Sequence, residues 1–148
     1  GYLSEADESR LLVNLQGEHP INHLKGVVDA NTLPGMSREI WKVHVDETLR
    51  DYIVRTVTAT RNHTDLTLGV SPRGSHALYR GAQAYAAMQG RNYVLPDDVK
   101  ALAPYIMSHR CLLNPESALR GVSTIDVLNS IFAETELELD TEASEPST

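Results

Sequence analysis

A chain of 148 residues has room for one domain, or one domain with an appendage. Apolar residues make up 41% of it but aromatics only 5%, which points to an aliphatic core built by helices and away from a long-stranded sheet. The formal net charge of -7 is uneven: residues 134–148 hold six acids and no Lys or Arg, and setting those six aside leaves -1 for the body. Such a body lacks the basic footprint that nucleic-acid binding requires. The lone cysteine, Cys111, excludes an intrachain disulfide and fits a reducing compartment. The sequence shows no signal peptide and no apolar run long enough to span a bilayer, so the expected setting is cytoplasmic, with neither a membrane nor a nucleic acid as partner.

Ser4-Glu-Ala-Asp7 reads as an N-cap with acids in the first helical turn. The helix it opens places Leu11, Leu12 and Leu15 on one face and stops near Gly17, where His19-Pro20 breaks it. Leu24, Val27 and Val28 follow as residues available for packing. Asn31 or Thr32 caps a second helix in which Pro34, Met36, Ile40 and Trp41 form one stripe. Val43-His-Val45 is an extended link. Asp46 then caps a third helix to about Asn62, with Leu49, Ile53 and Val57 at four-residue spacing and Tyr52 beside them. His63 to Val70 is a loop.

A fourth helix covers roughly residues 72–89. Its small residues Gly74, Ala77, Gly81 and Ala84 alternate with large Leu78, Tyr85 and Met88, which marks it as the central helix, and Gly90 ends it. Pro96 opens a fifth helix, with Asp97 and Asp98 serving the helix dipole and Val99, Leu102, Ala103 and Ile106 inward. Nearby Arg91 is expected in solvent. Asn114-Pro115 is a turn, and Ser123 caps a last helix whose Val127, Leu128, Ile131 and Phe132 face the core. The expected fold is all-α, a helical bundle with at most short strands in its connections. Residues 134–148 are expected to form a disordered acidic tail, because Leu137 and Leu139 offer too little apolar surface to offset chain entropy.

Among candidate sites, Gly69-Val-Ser-Pro-Arg-Gly-Ser75 stands out. Ser71 suits the N-cap and Pro72 the first helical position, which puts Arg73 in the first turn beside unpaired N–H groups and the positive end of the dipole. Two readings stay open from these residues: an anion site, or an ordinary helix start with a solvated arginine. Of the histidines, only His19 and His23 are four apart, and Pro20 lies between them, so no metal site is expected. His109 and Cys111 are two apart with no third group to orient them, and Cys111 reads as a packed thiol. No GxxxxGK[ST] phosphate loop occurs in the chain.

Several separated segments fall in one familiar order: Val43-His-Val-Asp-Glu-Thr-Leu-Arg-Asp-Tyr-Ile-Val54, Thr58-Ala-Thr-Arg61, Gly69-Val-Ser-Pro-Arg73, Ala84-Tyr-Ala-Ala87, Gly90-Arg-Asn-Tyr-Val94, Pro96-Asp-Asp-Val-Lys-Ala-Leu-Ala-Pro104 and His109-Arg110. With them the chain resembles the C-terminal lid domain of MoxR-family AAA+ ATPases over roughly residues 1–133, and Gly1-Tyr2 is similar to the start of that segment. The resemblance implies that Arg73 is the sensor-2 arginine, reaching a phosphate of ATP from a helix start formed with Ser71 and Pro72. It also implies ATP and Mg as cofactors of the parent protein. The implied partners are its own nucleotide-binding domain, neighbouring subunits of a ring, and a von Willebrand factor A-type protein. The family's phosphate loop, magnesium-binding acids, first sensor and arginine finger would all precede Gly1, so this chain alone is expected not to hydrolyse ATP. Leu95 stands where the family carries a capping threonine, which should weaken that cap unless Leu95 packs. The competing class is a stand-alone helical interaction module without nucleotide chemistry.

Overall fold

The computed structural model of the chain describes residues 2–15, 17 and 19–137; the predicted tail from Glu138 onward lies outside the described residues. Two compact units divide the chain between Met36 and Ser37. In the first, Ser4 caps α1 (Glu5–Asn14), its hydroxyl accepting the Asp7 amide at 3.2 Å. Pro20 then admits only a 3-10 turn, Pro20–His23. The expected apolar packing is not made here. Leu11, Leu12 and Leu15 are exposed, and so are Leu24, Val27 and Val28. A unit this short cannot enclose a core of its own. α2 (Leu33–Ile40) starts after Thr32, whose carbonyl accepts the Met36 amide at 3.1 Å, and the Met36 and Trp41 side chains are exposed rather than buried in a stripe.

The second unit holds the core. Asp46 caps α3 (Glu47–Asn62), accepting the Thr48 amide at 2.9 Å, and Leu49, Tyr52, Ile53 and Val57 are buried as their spacing predicts. α4 (Pro72–Met88) lies against both α3 and α5 (Pro96–Met107). Its buried face is Gly74, Leu78, Ala82, Gln83 and Ala86, and the small Gly74, Ala82 and Ala86 among them let its neighbours come close. Met88 is exposed, not part of the core. Gly81 faces α5, where a Cβ would lie 2.9 Å from Ile106 Cδ1. α7 (Thr124–Glu134) closes the bundle with Val127, Leu128, Ile131 and Phe132, and Tyr52 reaches it with an edge-on ring contact to Phe132 and a hydroxyl donated to the Phe132 carbonyl at 3.3 Å. Beyond α7, Arg55 donates to the Glu136 carbonyl at 3.1 Å and Leu137 packs against the core.

The strands are short and sit in connections. β1 (Leu66–Leu68) lies within the expected loop and pairs antiparallel with β2 (Leu112–Leu113). Asn114-Pro115, expected as a bare turn, opens the short helix α6 (Pro115–Leu119), because the Asn114 side chain accepts the Glu116 amide at 3.0 Å. Asp65 ties the two connections together, accepting from Ser117 Oγ at 2.6 Å and Arg120 at 2.8 Å. The Val43–Val45 link pairs with residues 92–94 through His44: its amide donates to the Asn92 carbonyl at 2.8 Å, and its carbonyl accepts the Val94 amide at 3.0 Å. The buried Gln83 amide donates to the Val43 carbonyl at 2.7 Å, so α4 holds this link directly.

The α4–α5 corner departs from expectation. Gly90 takes φ 74°, and the chain turns with the Arg91 amide on the Ala86 carbonyl and the Gly90 amide on the Ala87 carbonyl, both at 2.9 Å. That pair of bonds is a Schellman C-cap. Arg91 is not a solvated arginine: its guanidinium makes a two-bonded contact with Asp98, at 2.6 and 2.8 Å. Asp98 is 4% exposed and also accepts the Leu95 amide at 2.8 Å. The helix dipole alone therefore does not explain Asp98. It makes the reciprocal half of a capping box, binding the Leu95 amide, while the half that a side chain at position 95 would make is absent. Burial works to raise the Asp98 pKa, but the Arg91 bonds, the Leu95 amide and the Arg91 charge outweigh it and hold the carboxyl below its usual value.

Two outcomes follow from this packing. Gly69→Ala puts a Cβ 2.5 Å from the Thr60 carbonyl oxygen and 2.6 Å from Arg61 backbone atoms, whereas Gly81→Ala meets only the movable end of Ile106. Thermal unfolding is expected to rank Gly69→Ala well below Gly81→Ala, with Gly81→Leu losing about 1–3 kcal/mol by overpacking. A depressed folded pKa means that Asp98 contributes stability in full above the unfolded carboxylate value, about 3.9, and loses it as pH falls through the lower folded value. Asp98→Asn is expected to lower the melting temperature near pH 7 by about 4 °C or more, with the gap to the parent closing below pH ~4; equal gaps at both pH values would refute this.

Candidate functional site

The site is the start of α4 and the loop that leads to it. Pro72 takes the first helical position, where a missing N–H costs nothing. Arg73 follows in the first turn. Its side chain is exposed and, among the described residues, makes neither a hydrogen bond nor an ion pair. Ser71 occupies the N-cap position with extended φ and ψ, but its hydroxyl makes no capping bond, contrary to the expectation for this residue. α1, α3, α6 and α7 all have a side-chain cap. At α4 the first-turn amide of Arg73 therefore receives no side-chain acceptor.

The approach to this helix start is tightly held. The Val70 amide donates to Thr60 Oγ1 at 2.9 Å, and Arg61 Nε donates to the Val70 carbonyl at 2.7 Å. Gly69 lies so close to the end of α3 that no side chain fits there. Gly74 is buried, and a Cβ on it would lie 2.1 Å from Val70 Cγ1 and 3.6 Å from Arg110 Cδ. The stem of Arg110 thus passes beside the first turn of α4, while its Nε donates to the Ile106 carbonyl at 2.7 Å. Three arginines, Arg61, Arg73 and Arg110, gather on elements around one helix N-terminus. Such a cluster adds positive charge to a dipole end already suited to an anion.

The structure places Ser71 at the N-cap position, Pro72 at the first helical position and Arg73 in the first turn. The roles of Thr60, Arg61 and Arg110 are not legible from their spacing, because the contacts cross between elements. The other candidate groups stay apart. His109 is exposed on the 3-10 turn Ser108–Arg110, while Cys111 is buried, and burial pushes its thiol pKa up, away from the thiolate that a nucleophile needs. His19 caps its own turn, its Nδ1 accepting the Ile21 amide at 3.2 Å. Among the described residues no three His, Cys, Asp or Glu side chains converge as metal ligands, and no helix is long and apolar enough to cross a membrane.

A small helical bundle that presents an exposed arginine at an uncapped helix start defines the class: this is a lid of the AAA type. The family model described as AAA lid domain matches residues 58–131. The chain belongs to that family, as the C-terminal lid domain of a MoxR-family AAA+ ATPase. It is 39% identical over 133 residues to YeaC, an uncharacterized protein of Bacillus subtilis, covering 90% of this chain and 42% of that protein. It is 28% identical over 141 residues to the chaperone MoxR1 of Mycobacterium tuberculosis, covering 89% of this chain and 37% of the relative. The crystal structure of a Cytophaga hutchinsonii protein described as an ATPase superposes with a TM-score of 0.75 at 29% identity, over 94% of this chain and 45% of that one. The chain spans less than half the length of each of these proteins.

Because Ser71 makes no capping bond, Ser71→Ala is expected to leave the melting temperature within about 2 °C, whereas Ser123→Ala, which removes the working cap of α7, is expected to cost ~1 kcal/mol, or about 3–4 °C. A large loss at Ser71 would show that its hydroxyl holds the α4 start after all.

Proposed function

We propose that this lid closes over ATP bound by the nucleotide-binding domain of its parent ATPase, and that Arg73 acts there as the sensor-2 residue. One observation carries the reading: Arg73 stands exposed, with no partner among the described residues, at a helix start that lacks a side-chain cap. A phosphate meeting that point gains a charge-assisted bond from the guanidinium, a first-turn N–H, and the favourable end of the helix dipole. ATP supplies the transferable phosphoryl group, and magnesium is assigned to residues of the parent beyond this chain. What this chain contributes is orientation and charge: Arg73 is placed by a rigid helix, so movement of the lid moves its guanidinium relative to the nucleotide.

In this reading hydrolysis removes the phosphate that Arg73 holds, the lid is released, and the motion is passed to a client. The chaperone description of the relative MoxR1 supports a chaperone-like role in maturing partner complexes. The partners proposed are the parent's own nucleotide-binding domain, neighbouring subunits of a ring, and a von Willebrand factor A-type protein. The proposed setting is the cytoplasm.

The test is made in the intact ATPase. Arg73→Ala is expected to lower turnover by about ten- to a hundredfold, the equivalent of one charge-assisted bond of ~1.5–3 kcal/mol. Arg73→Lys should recover only part of this, since an ammonium does not reproduce the planar fork. Arg50→Ala is the control, because Arg50 is exposed in the first turn of α3 and pairs with Glu47 at 2.5 Å. Equal, small effects at Arg73 and Arg50 would reduce Arg73 to a surface charge.

A further inference from the structure

We infer that Thr60 and Arg61, in the last turn of α3, are positioning residues for Arg73. The inference rests on the phosphate-contact reading of Arg73. Its physical basis is Val70, which α3 grips at both of its backbone groups. Thr60 Oγ1 accepts the Val70 amide at 2.9 Å, and Arg61 Nε donates to the Val70 carbonyl at 2.7 Å. Holding both polar groups of one residue fixes the two peptide planes that flank it. Those planes lie three residues before Arg73.

The geometry of the grip is exclusive. Thr60 is fully buried, and its hydroxyl hydrogen is committed to the Val57 carbonyl at 2.6 Å. Its oxygen is thereby left as an acceptor aimed at the Val70 amide, an arrangement valine cannot copy. Gly69 lies against the Thr60 carbonyl and the Arg61 backbone, so the loop and α3 touch backbone to backbone. The buried Val70 side chain then fills the space in front of Gly74, the residue after Arg73. Arg73 itself is exposed and takes no part in the grip. Its position is therefore set by α3 through Val70. The end of α3 and the start of α4 act as one piece, and any lid movement carries the Arg73 guanidinium with it.

The test compares Thr60→Val, Thr60→Ser and Arg61→Ala, each alone and with Arg73→Ala, in the intact ATPase. Arg61 is exposed, so its truncation leaves the core in place if Thr60→Val fails to fold. Thr60→Val and Arg61→Ala are each expected to lower kcat/KM for ATP by about tenfold, and Thr60→Ser to stay within about twofold because it keeps the acceptor. With Arg73 already removed, neither substitution should lower it further. A purely structural role would give losses that add in both backgrounds, and that result would overturn the inference. A loss confined to Arg61→Ala would mean that Arg61 meets the nucleotide itself, which also overturns it. In the 148-residue chain, hydrogen exchange at the Val70 amide is expected to speed up about tenfold or more in Thr60→Val but not in Thr60→Ser. Unchanged exchange would refute the grip itself. Faster exchange with a silent Arg73→Ala would instead refute the phosphate reading, leaving the grip a structural device only.

Discussion

The close packing of α4 is the constraint on which the rest of this structure depends. On its buried face the small Gly74, Ala82 and Ala86 leave flat stretches beside Leu78 and Gln83, so α3 and α5 approach its backbone from two sides. Close approach has a cost in specificity, since flat surfaces slide. Polar contacts remove that freedom. Gln83 ties the middle of α4 to the link before α3, and Val70 ties its start to the end of α3. The Schellman turn at Gly90 and the Arg91–Asp98 pair hold its far end against α5. Aliphatic packing supplies the stability, and a few directed hydrogen bonds choose one arrangement among many of similar packing energy.

That division explains the helix starts. Where only a helix is needed, a side chain caps it: Ser4, Asp46, Asn114 and Ser123 each accept a first-turn amide. α5 lacks such a residue at Leu95, and its start is held instead by Asp98, which accepts the Leu95 amide from within the helix and is paired with Arg91. α4 is held from outside, by backbone contacts to α3. In its first turn the Gly74 amide is bonded to the Ser71 carbonyl at 2.7 Å, while the Arg73 amide has no side-chain cap and the Arg73 side chain stays exposed, a start suited to an anion.

Much of this could be read from the residues in order. Four-residue spacing marked Leu49, Ile53 and Val57 as core, and Val127, Leu128, Ile131 and Phe132 likewise, since a helical period depends only on local geometry. Caps, the glycine stop at Gly90 and the proline starts at Pro72 and Pro96 are local as well. The placement of Arg73 at a helix start needed nothing beyond Ser71 and Pro72 before it. The same local logic overreached with Leu11, Leu12 and Leu15, because a stripe of leucines says that a face can be buried but not whether anything lies against it.

Tertiary structure alone decided which polar residues hold the site. Thr60 and Val70 are ten apart in sequence, Trp41 and Gln83 more than forty, and no period connects them. Arg91 and Asp98 look like a surface charge and a dipole-serving acid until the turn at Gly90 folds one onto the other. Ser71 looks like a cap until the approach of α3 sets the loop and leaves its hydroxyl unused. Hydrophobic period and turn chemistry are properties of neighbours along the chain, and the sequence determines them by itself. Which donor meets which acceptor across a bundle is a property of distances that exist only once the helices have packed.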